Sequence, residues 1–188
     1  MACVMDGNDR TLVTQRLVAA PCRPQDREHF KRLERDHEVM RFLNGGAVDD
    51  ETASNEDTPF LRPRGIERDV WTLRRRAGGG FVGWISLIPG EEDSAELGYR
   101  LCRSAWGQGF ATEMSRVVID WGFAHAGYAR ITAQTMVANR GSRRVLEKIG
   151  MRLLATEFVA YANPIAGSEH GEAFYEMSHD LWAAARAT

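Results

Sequence analysis

Apolar residues recur with two different periods along this chain, and the switches between them mark out its elements. From Leu12 to Ala20 apolar and polar positions alternate with the two-residue period of a strand, which Pro21 and Pro24 end. Between Gln25 and Phe42, the apolar positions Phe30, Leu33, Val39, Met40 and Phe42 predict one or two short helices with a break near Asp36. Gly45 and Gly46 stop the second. The stretch from Ala47 to Arg68 is acidic and then Pro-containing, a composition that predicts a mobile flap with room for a helix over Glu51–Leu61. Val70–Arg76, Phe81–Ile88 and Glu96–Arg103 read as an antiparallel meander, parted by Gly78-Gly79-Gly80 and by the Pro89–Ser94 turn.

After the meander the period changes. Phe110, Met114, Val117, Val118 and Trp121 share one helical face, and Gly127 is placed to end that helix. Ala129–Val137 is the next strand, and Ser142–Ile149 a second helix with Val145, Leu146 and Ile149 inward and Gly150 as its C-cap. Two strands, Leu153–Tyr161 and Ala173–Leu181, follow around a loop from Asn163 to Gly171. At 188 residues the chain is long enough to bury one core, which predicts a single domain over 11–183 between tails at 1–10 and 184–188.

Charge narrows the function classes. The net charge is −2, so the positive field that phosphate-backbone binding needs is missing, and nucleic acid is not an expected partner. The run Arg74-Arg75-Arg76 reads as a solvated strand end. Cys3, Cys22 and Cys102 are far apart and odd in number, which suits reduced thiols rather than a metal site or a disulfide framework. No apolar run approaches the roughly 20 residues needed to span a bilayer, so a cytoplasmic protein without a membrane partner is expected.

The strongest local signal is Trp106-Gly107-Gln108-Gly109-Phe110-Ala111-Thr112-Glu113, between a predicted strand and an amphipathic helix. Small residues let backbone N–H groups approach a phosphate, and the helix start adds about half a positive charge where they converge. An ordinary strand-to-helix turn would also use glycine here. The phosphate loop that carries a lysine is excluded, because no Lys follows. A nicotinamide dinucleotide fingerprint would need an acidic residue about 20 positions on, and Thr135–Asn139 holds none.

The loop resembles the pyrophosphate-binding motif of the GCN5-related N-acetyltransferase (GNAT) family, which runs Gln or Arg, two residues, Gly, one residue, Gly or Ala. Gly109 and Ala111 match its last two fixed positions. Trp106 stands where Gln or Arg is usual, which is similar to the branch of ribosomal-protein N-terminal acetyltransferases. Downstream, Asn139, Ser142 and the helix ending Lys148-Ile149-Gly150-Met151 resemble the family's second signature, with Met151 in place of an aromatic residue.

The resemblance implies an α+β, three-layer fold: a mixed, mostly antiparallel twisted sheet of about seven strands, whose fourth and fifth, Glu96–Arg103 and Ala129–Val137, splay apart. It implies acetyl-CoA as co-substrate and no metal. Backbone groups of Leu101 and Arg103 would meet the pantetheine, Gly107, Gln108, Gly109, Phe110, Ala111 and Thr112 the pyrophosphate, and Asn139 and Ser142 the pantetheine arm. Asn139 and Ser142 would equally serve as caps of the following helix.

The implied reaction is direct attack by a primary amine, of a small molecule or a peptide N-terminus, in a ternary complex. A lysine-like amine of pKa about 10.4 costs almost 5 kcal/mol to deprotonate at neutral pH, so a base matters most there. Glu96 resembles the family's base, acting through water or with partial burial raising its pKa. Ser142 is the candidate acid, since Leu146 occupies the position where many relatives carry a tyrosine, and Tyr161 the position where the ribosomal-protein branch carries a glutamate. Trp84, Tyr99, Tyr161 and His170 are weaker substrate candidates, the last in the Asn163–Gly171 loop that, with Glu169 and Glu172, would line the acceptor pocket; sheet packing or a loop turn is their plain alternative. A non-catalytic acyl-CoA-binding sensor domain would keep the loop without needing Glu96 or Ser142. Many relatives pair through their sheets, which leaves a homodimer open.

Overall fold

The computed structural model describes residues 3–4, 10–55, 63–161 and 163–187. Backbone contacts group the chain into two compact units, Met1–Ser86 with Tyr99–Phe110 and Leu87–Gly98 with Ala111–Thr188. The fold is the expected mixed, mostly antiparallel sheet with helices. The first unit holds, in order, β1 (Cys3–Val4), β2 (Leu12–Val13), β3 (Leu17–Pro21), β4 (Val70–Arg75) and most of β5 (Phe81–Pro89), and the second most of β6 (Ser94–Leu101), then β7 (Arg130–Met136), β9 (Glu172–Ser178) and β8 (Arg152–Glu157). Among the described residues nine strands are formed rather than seven, and the extra two lie at the start of the chain.

In the first unit, the predicted strand Leu12–Ala20 is a hairpin of β2 (Leu12–Val13) and β3 (Leu17–Pro21). The reason is local: the Thr14 hydroxyl accepts from the N–H groups of Arg16 and Leu17 (3.3 and 2.9 Å) and turns the chain, so that Leu12 pairs with Ala19. β1 (Cys3–Val4) pairs in turn with β2, so part of the predicted N-terminal tail is strand. Helices α1 (Arg27–Glu34) and α2 (His37–Met40) break at Asp36, whose carboxylate accepts from the Glu38 N–H at 3.0 Å.

The predicted flap is better held than its composition implies. Val48 and Ala53, the latter on α3 (Asp50–Ser54), are buried with Met40. Further on, the Glu67 carboxylate accepts from the N–H groups of Arg64, Gly65 and Ile66 (2.7–3.0 Å). The remainder of the predicted Glu51–Leu61 helix falls mostly outside the described residues. β4 (Val70–Arg75) and β5 (Phe81–Pro89) pair antiparallel and bury Trp71, Leu73, Val82 and Ile85 beside Phe30 and Leu33 of α1. A Cβ on Gly83 would lie 2.2 Å from the Arg100 carbonyl oxygen, so only glycine permits this approach.

In the second unit, β6 (Ser94–Leu101) pairs parallel with β7 (Arg130–Met136) over Ser94–Glu96 against Arg130–Thr132. β7 continues past the last of these pairs, as a strand that splays from its neighbour would. Its other edge carries β9 (Glu172–Ser178), flanked by β8 (Arg152–Glu157). Helix α4 (Phe110–Trp121) buries Met114, Val118 and Ile119, continues through a π turn, and ends at Gly127 with φ 78°. Helix α5 (Arg140–Lys148) buries Leu146.

The last strand is shorter than its sequence predicts. It stops at Ser178, whose hydroxyl accepts from the Leu181 N–H at 3.3 Å and caps α6 (His179–Arg186), so the predicted tail from residue 184 is partly helix. Just past the predicted strand, Ala183-Ala184-Ala185 favour helix, and Trp182 anchors it through Asp120 (2.8 Å) and the Phe123 ring (centroids 5.3 Å apart). Among the described residues no helix is long and apolar enough to cross a membrane.

Candidate active site

The glycine loop keeps the conformation its sequence demands. Gly107 and Gly109 have φ of 71° and 78°, left-handed values that L side chains rarely adopt, and a Cβ on Gly107 would point into open space. Gly107, Gln108 and Gly109 are exposed, and the chain then runs directly into the first turn of α4, where Phe110 is buried and Ala111 and Thr112 are half-buried. Exposed backbone, small residues and a helix start are what a diphosphate needs. They fit the coenzyme A that the loop motif implies.

Before the loop, Cys102 donates its N–H to the Val82 carbonyl at 2.9 Å, and Arg103–Ala105 forms a single 3₁₀ turn that leaves Arg103 exposed. Trp106 folds back, its indole N–H donating to the Leu101 carbonyl at 2.9 Å. The residue that replaces the family's usual Gln or Arg thus ties the loop to the end of β6.

Two arginines that the sequence did not assign to the loop hold it from outside. Arg16, in the β2–β3 turn, donates to the Gln108 carbonyl at 2.9 Å, and Arg75 donates to the Gln108 side chain at 3.2 Å. Their guanidinium groups lie 4.7 and 4.9 Å from the centre of the Phe110 ring. Arg74 bonds the buried Asp26 at 2.8 Å. The Arg74–Arg76 run is therefore more than a solvated strand end. Only the pairing of β3 with β4 brings Arg16 and Arg75 to one place, and no linear spacing signals it.

Of the substrate candidates in this unit, Trp84 is half-buried on β5 with the Arg100 guanidinium 5.2 Å from its ring centre, and Tyr99 is half-buried on β6. Burial lowers the Arg100 guanidinium to about 10, with Glu34 opposing the shift, so the group stays charged at neutral pH. Glu34 is itself buried and ion-paired with Arg27 at 2.8 Å. These contacts describe packing.

In the second unit, the Asn139 side chain accepts from the Ser142 N–H at 3.1 Å and so caps α5, which fixes both residues in its first turn. Glu96 closes the paired segment of β6 opposite Thr132 and is exposed, which leaves the water-mediated route, of the two expected for a base there, without the burial. Tyr161 and Glu172 meet instead: the phenol donates to Glu172 Oε1 at 2.7 Å, with Tyr161 41% exposed and Glu172 only 5%. That hydrogen bond pushes the Tyr161 phenol up to about 12. His170 is exposed on a 3₁₀ turn, 3.5 Å from Glu169. Among the described residues no group of His, Cys, Asp or Glu is gathered as a metal site would require.

Residues 16–152 match the family model described as an acetyltransferase (GNAT) domain. The FsC-acetyl coenzyme A-N(2)-transacetylase of Aspergillus fumigatus is 30% identical over 193 residues, spanning 92% of this chain and 77% of that protein. Among solved structures, a GNAT-family acetyltransferase from Bacillus anthracis superimposes with a TM-score of 0.73 at 20% identity, over 90% of this chain and 99% of that one. The spermidine N-acetyltransferase from Vibrio cholerae, in complex with CoA and spermine, gives 0.72 at 16% identity over the same shares.

Proposed function

Because this chain belongs to the GNAT acetyltransferase family, and is an acetyl-CoA-dependent N-acetyltransferase, we propose that its acceptor is a primary amine, of a small molecule or a peptide N-terminus. Transfer is direct, within a ternary complex. The observation that carries the cofactor assignment is the exposed loop at Gly107–Gly109, with two left-handed glycines opening into α4. The N–H groups from Gly107 to Thr112 receive the diphosphate, and backbone groups of Leu101 and Arg103 receive the pantetheine amides. Asn139 orders the turn on which Ser142 stands, and the two residues meet the pantetheine arm. Bound acetyl-CoA supplies an activated acyl carbon and a thiolate leaving group.

Ser142 gives its hydroxyl proton to that thiolate and recovers one from the amine nitrogen. A backbone N–H of β6 near Leu101 polarises the thioester carbonyl. The Aspergillus relative is named for transfer to a nitrogen, N(2), which supports an amine acceptor, and the Trp106-Gly107 start of the loop keeps peptide N-termini among the candidates. The family resemblance leaves a homodimer open, to be read by light scattering.

The test is an acceptor panel with acetyl-CoA: spermidine, an aminoglycoside, single amino acids and short N-terminal peptides, read as free thiol released. Turnover of one class over the others identifies the acceptor. Thiol release with none of them, from a chain that still binds CoA by calorimetry, would overturn the amine reading.

A further inference from the structure

The two faces of the second unit's sheet are unlike. Residues paired across β7 and β9 share a face, and successive residues alternate. Ala133, Thr135, Ala173 and Tyr175 point to one side and are buried, and the Tyr175 hydroxyl contacts Arg143 and Glu147 of α5 at 3.1 and 3.2 Å. The other side carries Thr132, Met136 and Glu172, and Glu96 joins it through its pairing with Thr132. Four glutamates thus lie on the face away from α5, because Glu176 pairs with Thr132 and Glu157 with Glu172, and Arg130 shares that face 3.8 Å from Glu176.

They are not equivalent. Glu96 beside Thr132 and Glu157 opposite Glu172 are exposed and Glu176 is half-buried near Arg130, whereas Glu172, beside Met136, is the one that is buried. At about 3.3 Å per residue, Met136 lies roughly 13 Å further along β7 than Thr132. That end of β7 is the one from which the Asn139–Ser142 turn departs, with only Val137 and Ala138 between. The loop before Glu172 is fastened there as well: Val137 donates to the Gly171 carbonyl at 2.9 Å, and a Cβ on Gly167 would be 2.8 Å from Ala138 Cβ. A carboxylate is therefore held buried and fixed in orientation by Tyr161, at the end of β7 from which the chain passes into the turn that presents the candidate acid.

We propose that Glu172, positioned by Tyr161, is the residue that takes the proton from the acceptor ammonium, and that Glu96 does not. The assignment rests on the amine-acetylation reading above. Tyr161 donates to Oε1, which leaves Oε2 to receive the proton from R–NH3⁺. The neutral nitrogen then bonds the thioester carbonyl carbon, the carbon–sulfur bond breaks with its electron pair going to sulfur, and the nitrogen's second proton reaches the thiolate through Ser142. Glu172 returns its proton to water, so the balance is one amide, one thiol and one released proton.

The experiment compares E172Q, E96Q and Y161F in the full chain, using acetyl-CoA and whichever panel amine turns over fastest. E172Q is expected to lose about 100-fold or more in kcat/KM and to lose the acid limb of the pH profile, with CoA affinity unchanged by calorimetry. E96Q should stay within about threefold of the parent, and Y161F should move the acid limb without removing it. Apart from turnover, ultraviolet titration should show the Tyr161 phenol falling from about 12 towards the ordinary tyrosine value in E172Q. An E172Q enzyme that keeps both its rate and its acid limb overturns the proposal, as does loss of the limb in E96Q. If E172Q does not fold, Y161F decides: an acid limb identical to the parent's is equally fatal. A parent protein that binds no CoA and releases no thiol would instead strike the underlying reading.

Discussion

The glycine loop at 106–110 and the end of the β8–β9 hairpin, where Tyr161 meets Glu172, present the polar groups of the proposed site by opposite means. The loop is built from adjacent residues whose backbone does the chemistry, and it needs only positive φ at Gly107 and Gly109 and a helix that starts on time. Its side chains serve as props, with Gln108 and Phe110 held by Arg16 and Arg75. At the hairpin end, the chemistry lies in two side chains that are separated in sequence and joined by one 2.7 Å hydrogen bond. Its backbone serves as the prop. A loop of the first kind tolerates change around it and fails when a glycine is replaced, whereas a pair of the second kind fails when its strands shift.

The strongest way to break this contrast is Gly109→Glu, which puts bulk and negative charge at the expected diphosphate position. CoA affinity by calorimetry should fall about 100-fold or more, and unchanged affinity would mean the loop is not the anion site. Next comes a pair of glycine substitutions. In Gly171→Ala the new Cβ would sit 2.3 Å from the Glu157 carbonyl oxygen at a φ of 79°, whereas Gly107→Ala has the same kind of φ but empty space. The first should cost about 3 kcal/mol, a melting midpoint roughly 9 °C lower, and the second about 1 kcal/mol. Equal midpoints would deny that the hairpin backbone is the tighter of the two.

Arg16→Ala tests the props. It should raise the KM for acetyl-CoA about fivefold with kcat little changed, because it loosens the loop without touching the reacting atoms. A kcat effect alone would contradict that role. The smallest expected effect is a titration. The hydrogen bond to Glu172 raises the Tyr161 phenol to about 12, so the protonated phenol is favoured in the folded state. The stabilisation it lends the hairpin is complete below the ordinary tyrosine value near 10, and is lost as pH rises through about 12. Parent-minus-Y161F absorbance at alkaline pH reads the midpoint, and a value near 10 would mean that the bond does not persist in solution.

The sequence made one of these regions legible and the other only in part, since it pointed to Tyr161 and to the loop carrying His170 and Glu172 but not to their meeting. Gly-x-Gly after a strand and before a 3.6-period run named the loop and the elements on either side of it. It also placed the break at Asp36 and the caps at Asn139 and Gly127, since each depends on neighbours within a few residues. Glu96 drew attention because its local motif resembles a known base, yet the chain leaves it exposed. Glu172 carried no motif. It lies between a glycine and an alanine at the start of a strand, and nothing in its own neighbourhood points to Tyr161.

What the sequence by itself determined is everything set by short-range geometry: the periods of the strands and helices, the glycine positions that need a left-handed backbone, and the family to which two spaced motifs belong. What the tertiary structure decided is which distant residues meet. The Thr14 turn made one predicted strand into two and thereby carried Arg16 to Gln108. The register of β7 with β9 set Glu172 beside Met136 at the end from which Asn139 and Ser142 follow. Register is a property of paired strands, fixed by which faces can be buried together, and for that reason no single strand's sequence contains it.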